Sequence, residues 1–359
     1  MNRSEQGDKA PPYPPGTSSA NRPILEVREL RKHFPLKTGL FGKGTGTVHA
    51  VDDISFSVAA GETLGIVGES GCGKSTTARL LMRLIDPDAG RVLLDGKGIG
   101  EPLPNGLAVR DARRQMQMVF QDSFASLNPR LTIEDSIAFG PMVHGLPAKQ
   151  AKARARELLN KVGLAPERFA ARYPHELSGG QRQRINLARA LALEPRIVIL
   201  DEAVSALDKS VEAQVLNLLL DLKKEFGLTY LFISHDLNVV RYMSDRVMVM
   251  YLGKVAEIGP ADAIYGETAH PYTSALLSAM PSMDPGRRTE APPLVGDPPS
   301  PIDPPPGCRF RTRCPHAEDV CGAGDPALTP AGNGHHVACV MMKSGSGHSQ
   351  AQPAIEKAA

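Results

Sequence analysis

At 359 residues the chain has length for one to three domains and a substantial core. Lys and Arg number 41 against 39 Asp and Glu; the net charge of +2 leaves no broad basic field and argues against nucleic acid as the main partner. The first 19 residues hold no apolar h-region, and runs such as Ile197 to Leu200 are far too short to span a bilayer. The expectation is a protein kept in the cytoplasm, reaching any membrane through other proteins.

Residues 1–22, rich in Pro, Ser and Gly, read as a disordered tail. Strand patterns begin at Ile24 to Val27 and, after a Gly-rich stretch from Lys37 to Thr47, resume where Ile54, Phe56 and Val58 alternate with polar residues. Thr63 to Val67 reads as a short buried strand. It runs into Gly68-Glu69-Ser70-Gly71-Cys72-Gly73-Lys74-Ser75, the G-x-x-x-x-G-K-[ST] phosphate loop in its strand–loop–helix context. Gly68, Gly71 and Gly73 let the backbone curl N–H groups, that of Ser70 among them, around phosphates. Lys74 is placed to reach the β- and γ-phosphates of ATP, the Ser75 hydroxyl to hold Mg²⁺, and Thr76 to bond the α-phosphate side. Cys72 is given no role.

Arg91 to Leu94 and Met116 to Phe120 read as strands, the second ending at Gln121. The loop Asp122 to Pro129 carries two apolar side chains, Phe124 and Leu127, expected to stay exposed. Helical periodicity from Ile133 to Val162 places a helical subdomain at about 122–180. Leu177-Ser178-Gly179-Gly180-Gln181 reads as a helix N-cap with bare amides, a second anion site on the same chain. Two complementary half-sites imply two such chains meeting around ATP.

Ile197 to Leu200 is a β-branched strand ending in Asp201 and Glu202. A carboxylate at a buried strand tip suits the Mg²⁺ shell, and its neighbour suits a general base for an attacking water. Ser205 to Asp208, a helix from about Val211 to Phe226, and a strand Thr229 to Ile233 ending at His235 follow. Strand ends on that sheet edge gather ligands, which makes His235 a γ-phosphate contact. Arg246 to Gly259 reads as a closing hairpin. Beyond Pro260 the composition turns Pro-rich, and Cys308, Cys314, Cys321 and Cys339 crowd a segment ending in a second polar tail at 344–359.

In this order, phosphate loop, Gln121, Leu177 to Gln181, Asp201-Glu202, Ser205 to Asp208 and His235 resemble an ABC-type ATPase domain. The resemblance narrows to the ATP-binding subunits of oligopeptide/dipeptide (and nickel) ABC importers through Val119-Phe120-Gln121-Asp122, Ser126-Leu127-Asn128-Pro129, His270 to Leu277 and Pro304 to Phe310 with Arg313-Cys314-Pro315. It implies an α/β P-loop NTPase fold: a RecA-like core with an antiparallel β subdomain and a helical subdomain over residues 23–282, and a Cys/Pro-rich extension over 283–343. It also implies Phe34 stacking on adenine, with His33 as an alternative; Gln121 between Mg²⁺, water and a permease; and Ser178, Gly180 and Gln181 facing the partner subunit's ATP. Asp208 would complete the nucleotide contacts, Glu202 would be the catalytic base and His235 the switch.

The implied partners are a second ATPase subunit, two transmembrane permease subunits and, indirectly, an extracytoplasmic solute-binding protein, at the cytoplasmic face of the inner membrane. Ala203 stands where that family has Pro, freeing a φ angle beside Glu202. For the four cysteines a [4Fe–4S] cluster, plain thiols and zinc all stay open, since no C-x₂₋₄-C pair marks zinc and a reducing compartment disfavours disulfides. Two rival functions stand beside the importer subunit: a soluble ABC ATPase working on nucleic acid or ribosomes, and a catalytically weak nucleotide-sensing partner.

Overall fold

The computed structural model describes residues 22–36, 46–102, 104, 106–280 and 296–351. The N-terminal tail before Arg22, most of the Gly-rich stretch, and the end of the second tail lie outside them. β1 (Leu25–Leu36) and β2 (Gly46–Val58) form one long antiparallel hairpin in place of two short strands. β3 (Thr63–Val67) and α1 (Lys74–Leu81) flank the phosphate loop. β4 (Ala89–Leu94), β5 (Lys97–Ile99) and β6 (Gly106–Leu107) join the hairpin in a largely antiparallel sheet of order β2-β1-β4-β5-β6.

After α2 (Val109–Gln115) and β7 (Met116–Val119) come α3 (Ile133–Val143), α4 (Ala148–Lys161), the single turn α5 (Pro166–Phe169) and α6 (Gly179–Leu191). β8 (Ile197–Asp201), α7 (Lys209–Phe226), β9 (Thr229–Ile233), α8 (Leu237–Met243), β10 (Arg246–Tyr251) and β11 (Lys254–Pro260) follow, then α9 (Ala261–Gly266) and α10 (Pro271–Ser278). The second sheet runs β12-β13-β11-β10-β3-β9-β8-β7, the five strands from β10 to the β7 edge all parallel.

Strands β3, β8 and β9 are buried at every residue, as parallel strands covered on both faces must be. Period-2 alternation then divides them between two cores. Val67, Val198, Leu200, Tyr230 and Phe232 face the core shared with α3 to α7. Leu64, Ile66, Ile197, Ile199, Leu231 and Ile233 face the core shared with α1 and the antiparallel sheet. The expected α/β class holds, with the β subdomain and α1 on one face of the parallel strands and α3 to α7 on the other.

Two features depart from the sequence reading. The extension continues the main sheet: β13 (His335–Val337) pairs with β11 through Glu257 and Ile258, and β12 (Thr329–Gly332) pairs with β13. The segment expected to be a polar tail from 344 is mostly exposed but is anchored at His348. His348 is only 5% exposed, its Nε2 lying 2.8 Å from the His316 carbonyl, and Ser349 N–H donates to Glu318. A histidine ring that finds a carbonyl and a carboxylate anchors a polar stretch that hydropathy alone leaves loose.

Candidate nucleotide site

The strands that lead to the phosphate loop, Gln121, Asp201, Glu202 and His235 all end on the same edge of the parallel sheet. β3 delivers the phosphate loop, β8 delivers Asp201 and Glu202, β9 leads to His235, and β7 leads to Gln121. Ligands gather there because carboxyl ends of parallel strands and helix N-termini converge on it.

Lys74 curls back into its own loop, its Nζ donating to the carbonyls of Gly68 (2.7 Å) and Glu69 (3.0 Å). Gly73 has φ 107°, and a Cβ there would stand 2.2 Å from the Ala50 carbonyl oxygen, so only glycine lets β2 back the loop this closely. Cys72 is buried beneath it, with Lys74 Nζ 3.7 Å from its Sγ. Ser75 Oγ donates to Asp201 Oδ1 at 3.0 Å, joining the loop to β8. Burial raises the Asp201 carboxyl above the usual carboxylate range, opposed by the Ser75 bond and reinforced by neighbouring Glu202.

Glu202 is met from two sides: Gln121 Nε2 donates to its Oε2 at 2.8 Å, and His235 Nδ1 lies 3.5 Å from the same oxygen. Its backbone is left-handed, φ 48°, a strained conformation for a non-glycine residue. The turn after it is held without the proline expected at 203. Ala203 is buried, and the Glu202 carbonyl accepts from Ser205 N (3.3 Å) and Oγ (3.0 Å). Asp208 takes the N-cap position of α7, exposed and without a side-chain cap bond.

Ser178 is the N-cap of α6 as expected. Its Oγ accepts from Gln181 N, and Gln181 Oε1 accepts from Ser178 N, a closed capping box. A Cβ on Gly180 would meet Val211 Cγ1 at 2.6 Å, so glycine lets α6 approach the start of α7. Phe34 is 38% exposed at the end of β1, with Lys32 Nζ 5.5 Å from its ring centroid. His33 is committed elsewhere: its Nε2 lies 3.0 Å from Asp52 and its ring 4.0 Å from that of His49.

Leu127 is a correction. The loop after Gln121 was expected to expose both apolar side chains, and only Phe124 is exposed, at 53%, while Leu127 is 4% exposed in the core with Val119 and Ile133. Asp122 Oδ1 accepts from Phe124 N and Ala125 N, and that turn directs Leu127 inward.

Sequence reasoning gave no role to Asp52, Glu69, Arg309 or Arg313. Burial alone would raise the Asp52 carboxyl; Arg309, then His33 and His49, outweigh it and hold it at about 2. With His33 and His49 it forms a compact His-His-Asp group, but Arg309 and Arg31 (3.4 Å) already occupy its two oxygens, so the group is an ion-pair network. Nothing local in the sequence marks the pairing of Asp52 with Arg309, 257 residues away.

Residues 51–205 match the family described as ABC transporter, and residues 256–321 match the oligopeptide/dipeptide transporter C-terminal region. The chain is 54% identical over 318 residues to the ABC transporter ATP-binding protein y4tS of Sinorhizobium fredii, spanning 88% of this chain and 89% of that one. It belongs to the ABC transporter ATPase family. This ABC ATPase is also 50% identical over 326 residues to the oligopeptide transport ATP-binding protein AppF of Bacillus subtilis, covering 90% of this chain and 98% of AppF. Among solved structures it resembles the ATP-binding cassette MJ0796, described as a dimeric post-hydrolysis state bound to ADP and Pi (TM-score 0.56, 28% identity, 66% of this chain and 99% of that one). Among the described residues of this ABC ATPase no helix is long and apolar enough to cross a membrane.

Proposed function

We propose that the chain is the ATP-hydrolysing, energy-coupling subunit of an importer for peptides or a related small solute. The observation that carries it is the Glu202 carboxylate, held between Gln121 and His235 beside the Ser75–Asp201 contact on one sheet edge. Glu202 takes a proton from the attacking water as the new bond forms to the γ-phosphorus and the bond to the β-phosphate oxygen breaks, releasing ADP. His235 orients the γ-phosphate, Lys74 and the amides around Gly68, Ser70, Gly71 and Gly73 cradle the phosphates, Thr76 bonds the α-phosphate, and Phe34 stacks on adenine. Ser178, Gly180 and Gln181 close on ATP held by a second subunit, with Asp208 at the same seam; the dimeric, ADP-bound state reported for MJ0796 supports that arrangement.

The Ser75 hydroxyl, Asp201 carboxylate and Gln121 amide offer the hard oxygen donors that Mg²⁺ selects, and Mg²⁺ when bound neutralises phosphate charge. The permeases contact the loop around Phe124, an exposed aromatic three residues after Gln121. On this reading the subunit works at the cytoplasmic face of the membrane, with a solute-binding protein on the opposite side. The peptide reading is supported by the C-terminal region match and by what AppF is described as transporting.

Cys308, Cys314, Cys321 and Cys339 hold one [4Fe–4S] cluster as a structural staple. Burial, with a smaller contribution from the neighbouring thiols, pushes Cys308 up to about 11, a cost that metal-bound thiolates remove.

The test of the catalytic reading is Glu202→Gln. It is expected to leave ATP binding intact and to cut turnover about a hundredfold or more. Near-normal ATPase activity would remove Glu202 from the chemistry.

A further inference from the structure

The phosphate loop is gripped from outside the ATPase core. Glu69, its second residue, is held at three points. The Arg313 guanidinium forks onto its carboxylate, Nη1 to Oε2 at 2.8 Å and Nη2 to Oε1 at 3.2 Å. Its N–H donates to the Tyr272 hydroxyl at 2.9 Å, and its carbonyl accepts from Lys74 Nζ. Arg313 belongs to the extension, 244 residues from Glu69 along the chain, and its side chain is buried. The Glu69 bond holds the guanidinium firmly protonated, against the opposing pull of burial. Phe310, which accepts the Arg313 N–H through its carbonyl, packs edge-on to Tyr251 and beside Tyr272, so both groups that reach Glu69 sit on one aromatic seat.

A second arginine works in parallel. Arg309 pairs with Asp52 and donates to the Leu252 carbonyl. Those two segments are the walls of the loop: Ala50 backs Gly73, and Gly253 N–H donates to the Cys72 carbonyl at 2.9 Å. The extension thus fastens the loop at Glu69 and the two walls it lies against.

We propose that Arg313 is a positioning residue of the ATP site: through the Glu69 carboxylate, the C-terminal extension fixes the phosphate loop and thereby sets its affinity for ATP. A loop that binds phosphate with backbone N–H groups gains affinity when their directions are fixed beforehand, because less conformational freedom is lost on binding. A two-pronged arginine–carboxylate pair whose guanidinium is buried and whose carboxylate is half-buried fixes geometry in a way a fully exposed ion pair does not. The inference rests on Gly68–Ser75 being the ATP site, and Lys74→Ala tests that reading separately: if ATP still binds that variant, the site is misassigned.

The measurement is ATP affinity of the full-length chain with Mg²⁺, by calorimetry, for Arg313→Ala, Glu69→Gln, their double variant and Arg313→Lys. Each of the first two is expected to weaken binding about tenfold, the double variant no further than the worse single, and Arg313→Lys by less, since it keeps the charge and loses the fork. Glu69→Gln is isosteric and leaves the extension's own contacts in place, so a folding defect in Arg313→Ala does not decide the result. Unchanged affinity in Glu69→Gln, or additive losses in the double variant, overturns the proposal. So does an Arg313→Ala chain whose extension becomes protease-sensitive while ATP affinity stays at the wild-type value.

Discussion

His270 shows how one residue binds stability to pH. It is the N-cap of α10, its Nδ1 accepting from Tyr272 N at 3.0 Å, so the ring must be neutral at that nitrogen. Burial drives its pKa down to about 4, with the opposing charge of Glu257 too weak to restore it. The unfolded chain protonates this histidine near pH 6.5, the folded chain only near 4. The native state therefore binds fewer protons in that window, and stability present above pH 6.5 is lost as pH falls towards 4, by about 3 kcal/mol in all. Denaturant unfolding at pH 7 and pH 5 measures it. His270→Asn, a cap that does not titrate, is expected to shrink the pH 7-to-5 difference by about 2 kcal/mol. An unchanged difference would mean that other groups carry the dependence.

At the scale of elements, α6 does two jobs. Its first turn presents Ser178 and Gly180, and its next turns hold the loop that follows Gln121. Asn186 Nδ2 donates to the Ser123 carbonyl at 3.1 Å, Arg189 donates to the Ser126 carbonyl, and the Arg182 guanidinium lies 5.5 Å over the Phe124 ring. A shift of α6 that moved Ser178 and Gly180 would therefore carry the loop with it. Phe124 and Leu127, three residues apart, should then respond oppositely to the same change. Phe124→Asp alters an exposed contact and is expected to abolish solute uptake in cells while the purified ATPase retains basal turnover. Leu127→Asp puts a charge into the core and is expected to cost at least about 3 kcal/mol of stability, seen as lost soluble yield and a lowered Tm. Uptake at the wild-type level in Phe124→Asp would place the permease contact elsewhere.

For the whole molecule, the seam between ATPase core and extension is the unusual part. β13 covers the edge of β11 that would otherwise present unpaired backbone groups, and His335 Nε2 lies 2.7 Å from the fully buried Glu257 carboxylate. Glu257 also accepts from Ala269 N and His270 N, so one carboxylate ties β11, α10 and β13 together. Among its described residues the small extension buries one aromatic fully, Phe310, and the proposed cluster on the four thiols would add a cross-link. Anaerobically purified protein is expected to be brown, with about four iron atoms per chain. Single Cys→Ser changes should bleach it and expose the extension to protease. One zinc per chain, or no metal, would end the cluster reading.

How much was legible follows from chain distance. The phosphate loop, the carboxylates after β8 and the cap at Ser178 are contiguous signals, set by glycine conformation, hydrophobic period and capping chemistry, and the sequence alone determined them. The order of those motifs placed them on one sheet edge, because strand ends in a parallel sheet share a side. Tertiary structure alone decided the rest. Leu127 is buried because a turn built by Asp122 points it inward. His348 anchors the otherwise exposed 344–351 segment because it finds the His316 carbonyl, and β13 exists as a strand because β11 offers it an edge. Arg313 meets Glu69, and Arg309 meets Asp52, only once the extension has folded across the phosphate loop. Such pairings join residues of ordinary type at long separation, and neither periodicity nor local propensity carries information about them.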